Sequence, residues 1–137
     1  ISGNTNFSCQ TTIGNSLNLL WNNCHAVIDH GMIILLSESK AGVGNGALLK
    51  LIENRLDLNG LNKYQYTKHL EHTNFLNMLR EKHEIFLIST LPRIYLDKLG
   101  LKSLPRIKDA LRLIIEKNGK YSKSMIIPNS EITRVNV

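Results

Sequence analysis

Met32-Ile33-Ile34-Leu35-Leu36-Ser37 is an apolar run of strand length, too apolar on both faces for a half-exposed edge, and it reads as a buried central strand. Gly31 punctuates its start. Lys40-Ala41-Gly42-Val43-Gly44-Asn45-Gly46 follows, a loop whose glycines permit backbone angles that other residues resist. An amphipathic helix is expected from Ala47 to about Leu56. Strand, glycine loop and helix make one unit of a layered α/β protein.

Upstream, residues 9–23 read as a helix because Ile13, Leu17, Leu20 and Trp21 recur at helical spacing toward a core, with Ser8 as N-cap. Downstream, Asn59-Gly60 closes the central unit, and residues 63–82 read as a longer helix with Tyr66, Leu70, Phe75, Leu76 and Leu79 on one side. Residues 84–89 repeat the strand pattern; Pro92 opens a short helix to Leu99, and Gly100 ends it. Residues 103–117 read as another helix, with Ile107, Ala110, Leu111, Ile114 and Ile115 inward and Arg106, Lys108, Arg112 and Lys117 in water. Two short strands are expected over 125–127 and 132–137, separated by the turn Pro128-Asn129-Ser130. The alternation predicts an α/β fold, a mostly parallel sheet of about four to five strands flanked by helices, in a single domain over residues 1–137.

Composition agrees with one domain. The chain has 137 residues, 42% hydrophobic and 20% charged, enough for a core without a metal or disulfide, which excludes disorder as the default. Cys9 and Cys24 form no disulfide framework and lie too far apart for a CxxC pair, so a reducing, cytoplasmic setting is expected. The longest apolar run falls far short of the roughly 20 residues that cross a bilayer, and no membrane partner is expected. Ile1 stands in place of Met, and residues 1–10 lack a signal-peptide pattern, which reads as a fragment of something longer.

The formal charge of +6 is uneven: residues 1–62 hold three basic and four acidic side chains, and residues 63–137 hold fourteen and seven. A nucleic-acid-binding domain is therefore one alternative. Against it, the basic residues are scattered singly with few aromatics among them, and Arg106, Lys108 and Arg112 read as a solvated helix face rather than a phosphate track.

Gly42-x-Gly44-x-x-Ala47 fits the GxGxxG/A pattern that holds a pyrophosphate, which makes a dinucleotide-binding α/β module a second alternative. The rest of that unit is missing, because no acidic residue occurs between Asp57 and Glu71. His69 and His72, one turn apart with Glu71 beside them, have a spacing that suits chelation. Two ligands are not a site, so no metal site is expected, and His25, His30 and His83 have no metal-motif spacing. Cys24 and His25 are adjacent, a poor arrangement for a nucleophile and its base because neighbours on a helix point about 100° apart. Lys82-His83 suits the negative end of a helix dipole.

Taken in order, these segments resemble the C-terminal domain of the nickel-dependent lactate racemase family. Ser2-Gly3 with Asn6-Phe7-Ser8-Cys9-Gln10 resembles the family's glycine-bearing segment leading to an aromatic-Gln pair, with Cys9 where the aromatic usually stands. Gly31-Met32-Ile33-Ile34-Leu35, Glu38 and Gly42-Val43-Gly44 resemble its strand with an acidic end and Gly-x-Gly loop. Arg80-Glu81-Lys82-His83-Glu84-Ile85 with Ser89-Thr90-Leu91 is similar to its Lys-His helix end, strand and Ser-x-Leu turn. Leu99-Gly100, Asp109-Ala110-Leu111, Gly119-Lys120 and Ile127-Pro128 follow in the same sequence.

The resemblance implies a two-domain enzyme that inverts a small 2-hydroxy acid by moving a hydride to and from a nickel-pincer nucleotide. In that family the N-terminal domain brings the covalent lysine, the metal histidine and the paired catalytic histidines, so the cofactor is not expected in this chain. The C-terminal domain closes the cleft. Gln10 matches the Gln of the aromatic-Gln pair, while Ile13 stands where the family carries a Lys and has no charge to offer a carboxylate. This departure points to a relative with another substrate, or to one without activity. His69, preceded by Tyr64, resembles a His and Tyr that many non-racemase members carry. The candidate catalytic residues are thus Gln10 and His69, with Asn6 and Glu38 in the substrate cleft, since strand ends and helix starts cluster at the ligand-binding edge of such sheets.

Overall fold

Side-chain alternation along two apolar strands organises everything around them. The computed structural model describes residues 2–3, 12–56, 67–128 and 133–135. In chain order the elements are β1 (Ser2–Gly3), α1 (Ile13–Asn23), β2 (Met32–Leu36), α2 (Ala47–Ile52), α3 (Leu70–Lys82), β3 (Glu84–Ile88), α4 (Arg93–Leu99), β4 (Lys102–Ser103), α5 (Ile107–Asn118) and β5 (Ile127–Pro128). The strands form one parallel sheet in the order β4-β3-β2-β1-β5. Its centre is the pair β2 and β3, in register from Met32 opposite Glu84 to Leu36 opposite Ile88.

Alternate residues of these strands face two different cores. Ile33, Leu35, Ile85 and Leu87 pack with Leu17 of α1, Leu48 of α2, Leu76 of α3 and Leu96 of α4. Ile34 and Phe86 face the other way, onto Ala110 of α5, with Leu113 and Ile114 packed around them. Right-handed crossovers account for the division. The chain steps from β1 to β4 in one direction, laying α1 through α4 on one face, and its return from β4 to β5 puts α5 on the other.

Several expected boundaries shift. α1 begins at Ile13 and not at residue 9, because Thr12 is extended and is itself the cap in place of Ser8, its Oγ1 accepting from the Asn15 amide at 3.4 Å. Trp21 is 48% exposed at the rim of the α1 stripe, where it packs on Phe75. α2 stops at Ile52, four residues short of Leu56. Asn54 turns left-handed (φ 56°), and the Arg55 amide reaches back to the Lys50 carbonyl at 2.8 Å, a Schellman-type end. α3 starts at Leu70 because His69 has a left-handed backbone (φ 65°) that no helix passes through; residues 57–66, including Tyr64, lie outside the described residues.

Residues 102–103 pair with Phe86 and Leu87 as β4, and α5 begins only at Ile107, since Arg106 before it is extended (φ −147°, ψ 156°). Ile107, Leu111 and Ile115, expected inside, are exposed; Ala110 is buried, with Leu113 and Ile114 half-buried beside it. One helix touches a sheet along a narrow line, so five apolar positions exceed what α5 can bury. The last strand is Ile127–Pro128, and residues 133–135 form no strand. They are tied instead to Asn23, whose Nδ2 donates to the Thr133 carbonyl at 3.1 Å and whose Oδ1 accepts from the Val135 amide at 3.1 Å. Among the described residues, no helix is long and apolar enough to cross a membrane.

Candidate functional site

A parallel sheet gathers its strand ends and the following helix starts at one edge. Here the neighbours of β1 come from opposite ends of the chain, β2 on one side and β5 on the other, so the carboxyl end of β1 is the sheet's topological switch point. Asn6 and Gln10 fall in the sequence between β1 and α1, outside the described residues.

Beyond β2 the edge is polar. Ser16 of α1, Ser37 and Ser39 are buried, and their hydroxyls form a chain: Ser16 Oγ bonds Ser37 Oγ and also donates to the Thr12 carbonyl at 3.2 Å, and Ser37 Oγ bonds Ser39 Oγ at 2.8 Å. Glu38 is exposed and its carboxylate pairs with Lys40 at 2.9 Å. Its carbonyl accepts from Thr90 Oγ1 at 2.7 Å and from Ser89 Oγ at 3.3 Å, which fastens the loop after β2 to the loop after β3.

At the start of α3 the two histidines come together. The left-handed turn at His69 folds its ring back against α1, where a Cβ on Gly14 would lie 3.0 Å from the imidazole. His69 and His72 are each 7% exposed, with ring centroids 4.9 Å apart and planes 73° apart. Their Nδ1 atoms are 3.3 Å apart, Glu71 Oε1 lies 3.2 Å from His72 Nδ1, and His72 Nε2 bonds Asn18 Oδ1 at 2.7 Å. Burial lowers the His69 pKa below the ordinary histidine value; His72 and Lys68 push the same way and Glu71 opposes them. His69 therefore sits inside an α1–α3 contact. Glu38 is not part of that cluster, its bonded partners among the described residues being Lys40, Ser89 and Thr90.

Gly42 and Gly44 take φ values of 81° and 89°, the left-handed region expected of this loop. The Ala47 amide at the start of α2 donates to the Lys68 carbonyl at 2.7 Å, so a donor that a pyrophosphate would need is already engaged in packing. Basic side chains of the second half have acidic neighbours: Arg106 with Asp109, Arg112 with Glu116, and both Lys102 and Lys117 with Glu84. His25 Nε2 contacts the Val135 carbonyl, and Cys24 Sγ contacts the Trp21 carbonyl at 3.8 Å; the two side chains do not form a nucleophile–base pair.

Two groups escaped sequence reasoning. Asn18 is one: with Gly14 four residues before it, a small and an amide residue share one face of α1, a pattern that leaves room for a ring and offers it an acceptor. The serine chain is the other, and Ser16, a polar residue between Ile13 and Leu17 on a buried stripe, was its only signal. Compared with known proteins, the sequence matches no family model and no curated protein.

Proposed function

We propose that the chain is the cleft-closing C-terminal domain of a cytoplasmic, racemase-like enzyme that acts on a small 2-hydroxy acid or a related substrate, its partner being an N-terminal domain of the same protein. The strand order carries this reading: open α/β sheets take ligands in the crevice at their switch point, here the carboxyl end of β1. Asn6 and Gln10 follow β1 in sequence and Glu38 follows the neighbouring β2. The Gln10 amide has the donors to hold a substrate carboxylate, and the Glu38 carboxylate can accept a hydrogen bond from a hydroxyl. Ile13 is fully buried in the core, so its side chain does not line the proposed crevice. With the family's Lys replaced there, a relative with another substrate or one without activity is favoured.

The nickel-pincer nucleotide, when bound in such enzymes, supplies the hydride acceptor. It belongs with the opposite domain in this reading, since the resemblance assigns the covalent lysine and the metal histidine to that domain. Residues of this chain bind and orient substrate and exclude water, and alone they are inactive. Assays of the isolated chain with nickel-pincer cofactor and a panel of 2-hydroxy acids should show no hydride transfer, and turnover by the chain alone contradicts the proposal. In the assembled enzyme Gln10→Ala should lower kcat/KM by roughly tenfold or more, the cost of one lost hydrogen bond to a charged group.

A further inference from the structure

Between α1 and α3, three ligand-type side chains converge more closely than a helix start requires. His69 Nδ1 and His72 Nδ1 lie 3.3 Å apart, and Glu71 Oε1 is 3.2 Å from His72 Nδ1. The potential ligand atoms of all three residues fall within 4.8 Å of one another. A tetrahedral zinc ion with nitrogen and oxygen ligands at about 2.0–2.1 Å holds neighbouring ligand atoms about 3.3–3.4 Å apart. Two edges of the ligand set are thus already at coordination spacing.

The surroundings match. Asn18 Oδ1 lies 2.7 Å from His72 Nε2, which turns the other ring nitrogen, Nδ1, toward His69 and Glu71. A hydrogen-bonded outer nitrogen is the usual companion of a metal-bound histidine. The His72 side chain is 9% exposed and that of Glu71 47%, so the cluster opens to water on the carboxylate side.

We propose that His69, Glu71 and His72 form a binding site for a first-row divalent cation with affinity for imidazole, zinc above all, with the fourth position left to water. Calcium and magnesium, which take all-oxygen shells, do not suit two ring nitrogens. One carboxylate against a doubly charged ion leaves the site net positive and ready to hold an anionic oxygen as its fourth ligand. The site stands on these residues alone and does not depend on the racemase reading.

Trp21 provides the probe. It is the sole tryptophan, and its ring centroid lies 6.1 Å from that of His72. Titrating the chelator-treated full chain with Co2+ should quench its fluorescence with one-to-one stoichiometry and give the visible bands of a four-coordinate cobalt site, both reversed by Zn2+. His72→Gln should abolish the signal. Glu71→Gln, a change at an exposed side chain that leaves folding intact, should weaken binding about tenfold or more, and Asn18→Ala about 10–100-fold through the freed ring. Absence of saturable binding at millimolar Co2+, or binding unchanged by Glu71→Gln, overturns the proposal. If His72→Gln fails to fold by circular dichroism, the Glu71→Gln result decides.

Discussion

Gly46 shows how one residue can fix a junction. Its backbone (φ 88°, ψ −145°) belongs to a region open essentially to glycine, and a Cβ there would lie 2.1 Å from the Lys68 carbonyl oxygen that anchors the start of α2. Gly46→Ala should cost about 3 kcal/mol or more in urea unfolding, against about 1–2 kcal/mol for Gly42→Ala, which is left-handed but has nothing within 4 Å. Equal losses would show that the close approach is unimportant. His69 is the complementary case. Its spacing from His72 was legible, but its left-handed turn was not, because a histidine carries no signal for that conformation comparable to a glycine. Sequence reading therefore supplied the spacing of the two rings and not their burial against α1. Asn6 and Gln10, chosen by resemblance, lie outside the described residues.

Elements were legible where burial is two-sided and illegible where packing is partial. β2 and β3 read correctly because every side chain from residue 33 to 35 and 85 to 87 is buried, leaving no other period to choose. The inward face of α5 did not, since only its contact with the sheet decides which apolar residues are covered. Accordingly Leu111→Ser should change stability by no more than about 0.5 kcal/mol, whereas Leu17→Ala, at a fully buried position, should cost about 2–5 kcal/mol in the same denaturant titration. On that α5 face, Lys102 and Lys117 lie 5.4 and 5.9 Å from the Phe86 ring centre while both pair with Glu84. Hydrogen bonds from Lys102 first and Lys117 second hold the Glu84 carboxyl below its ordinary pKa. A depressed folded pKa means that the stabilisation is present above the unfolded value of 4.5 and is lost as pH falls through the folded one. The pairs are solvent-screened, so Glu84→Gln should cost at most about 1 kcal/mol at neutral pH, and unfolding curves of variant and parent should converge in acid.

At the scale of the molecule, the described residues form a parallel sheet with α1 to α4 on one face and α5 on the other, and its crossovers reverse beside β1. The α/β class and single domain followed from the alternation of runs, because few topologies accommodate strand, loop, helix in succession. The strand order did not, since β1, β4 and β5 are two residues long and leave no pattern to read. The account rests on the sheet edge at that reversal being one wall of a substrate crevice. Backbone amide shifts of the isotopically labelled chain, titrated with a series of 2-hydroxy acids, test it most directly. Saturable changes confined to residues 4–11, 37–40 and 89–91 are predicted, and a titration that moves none of them, or moves only the α5 face, contradicts it.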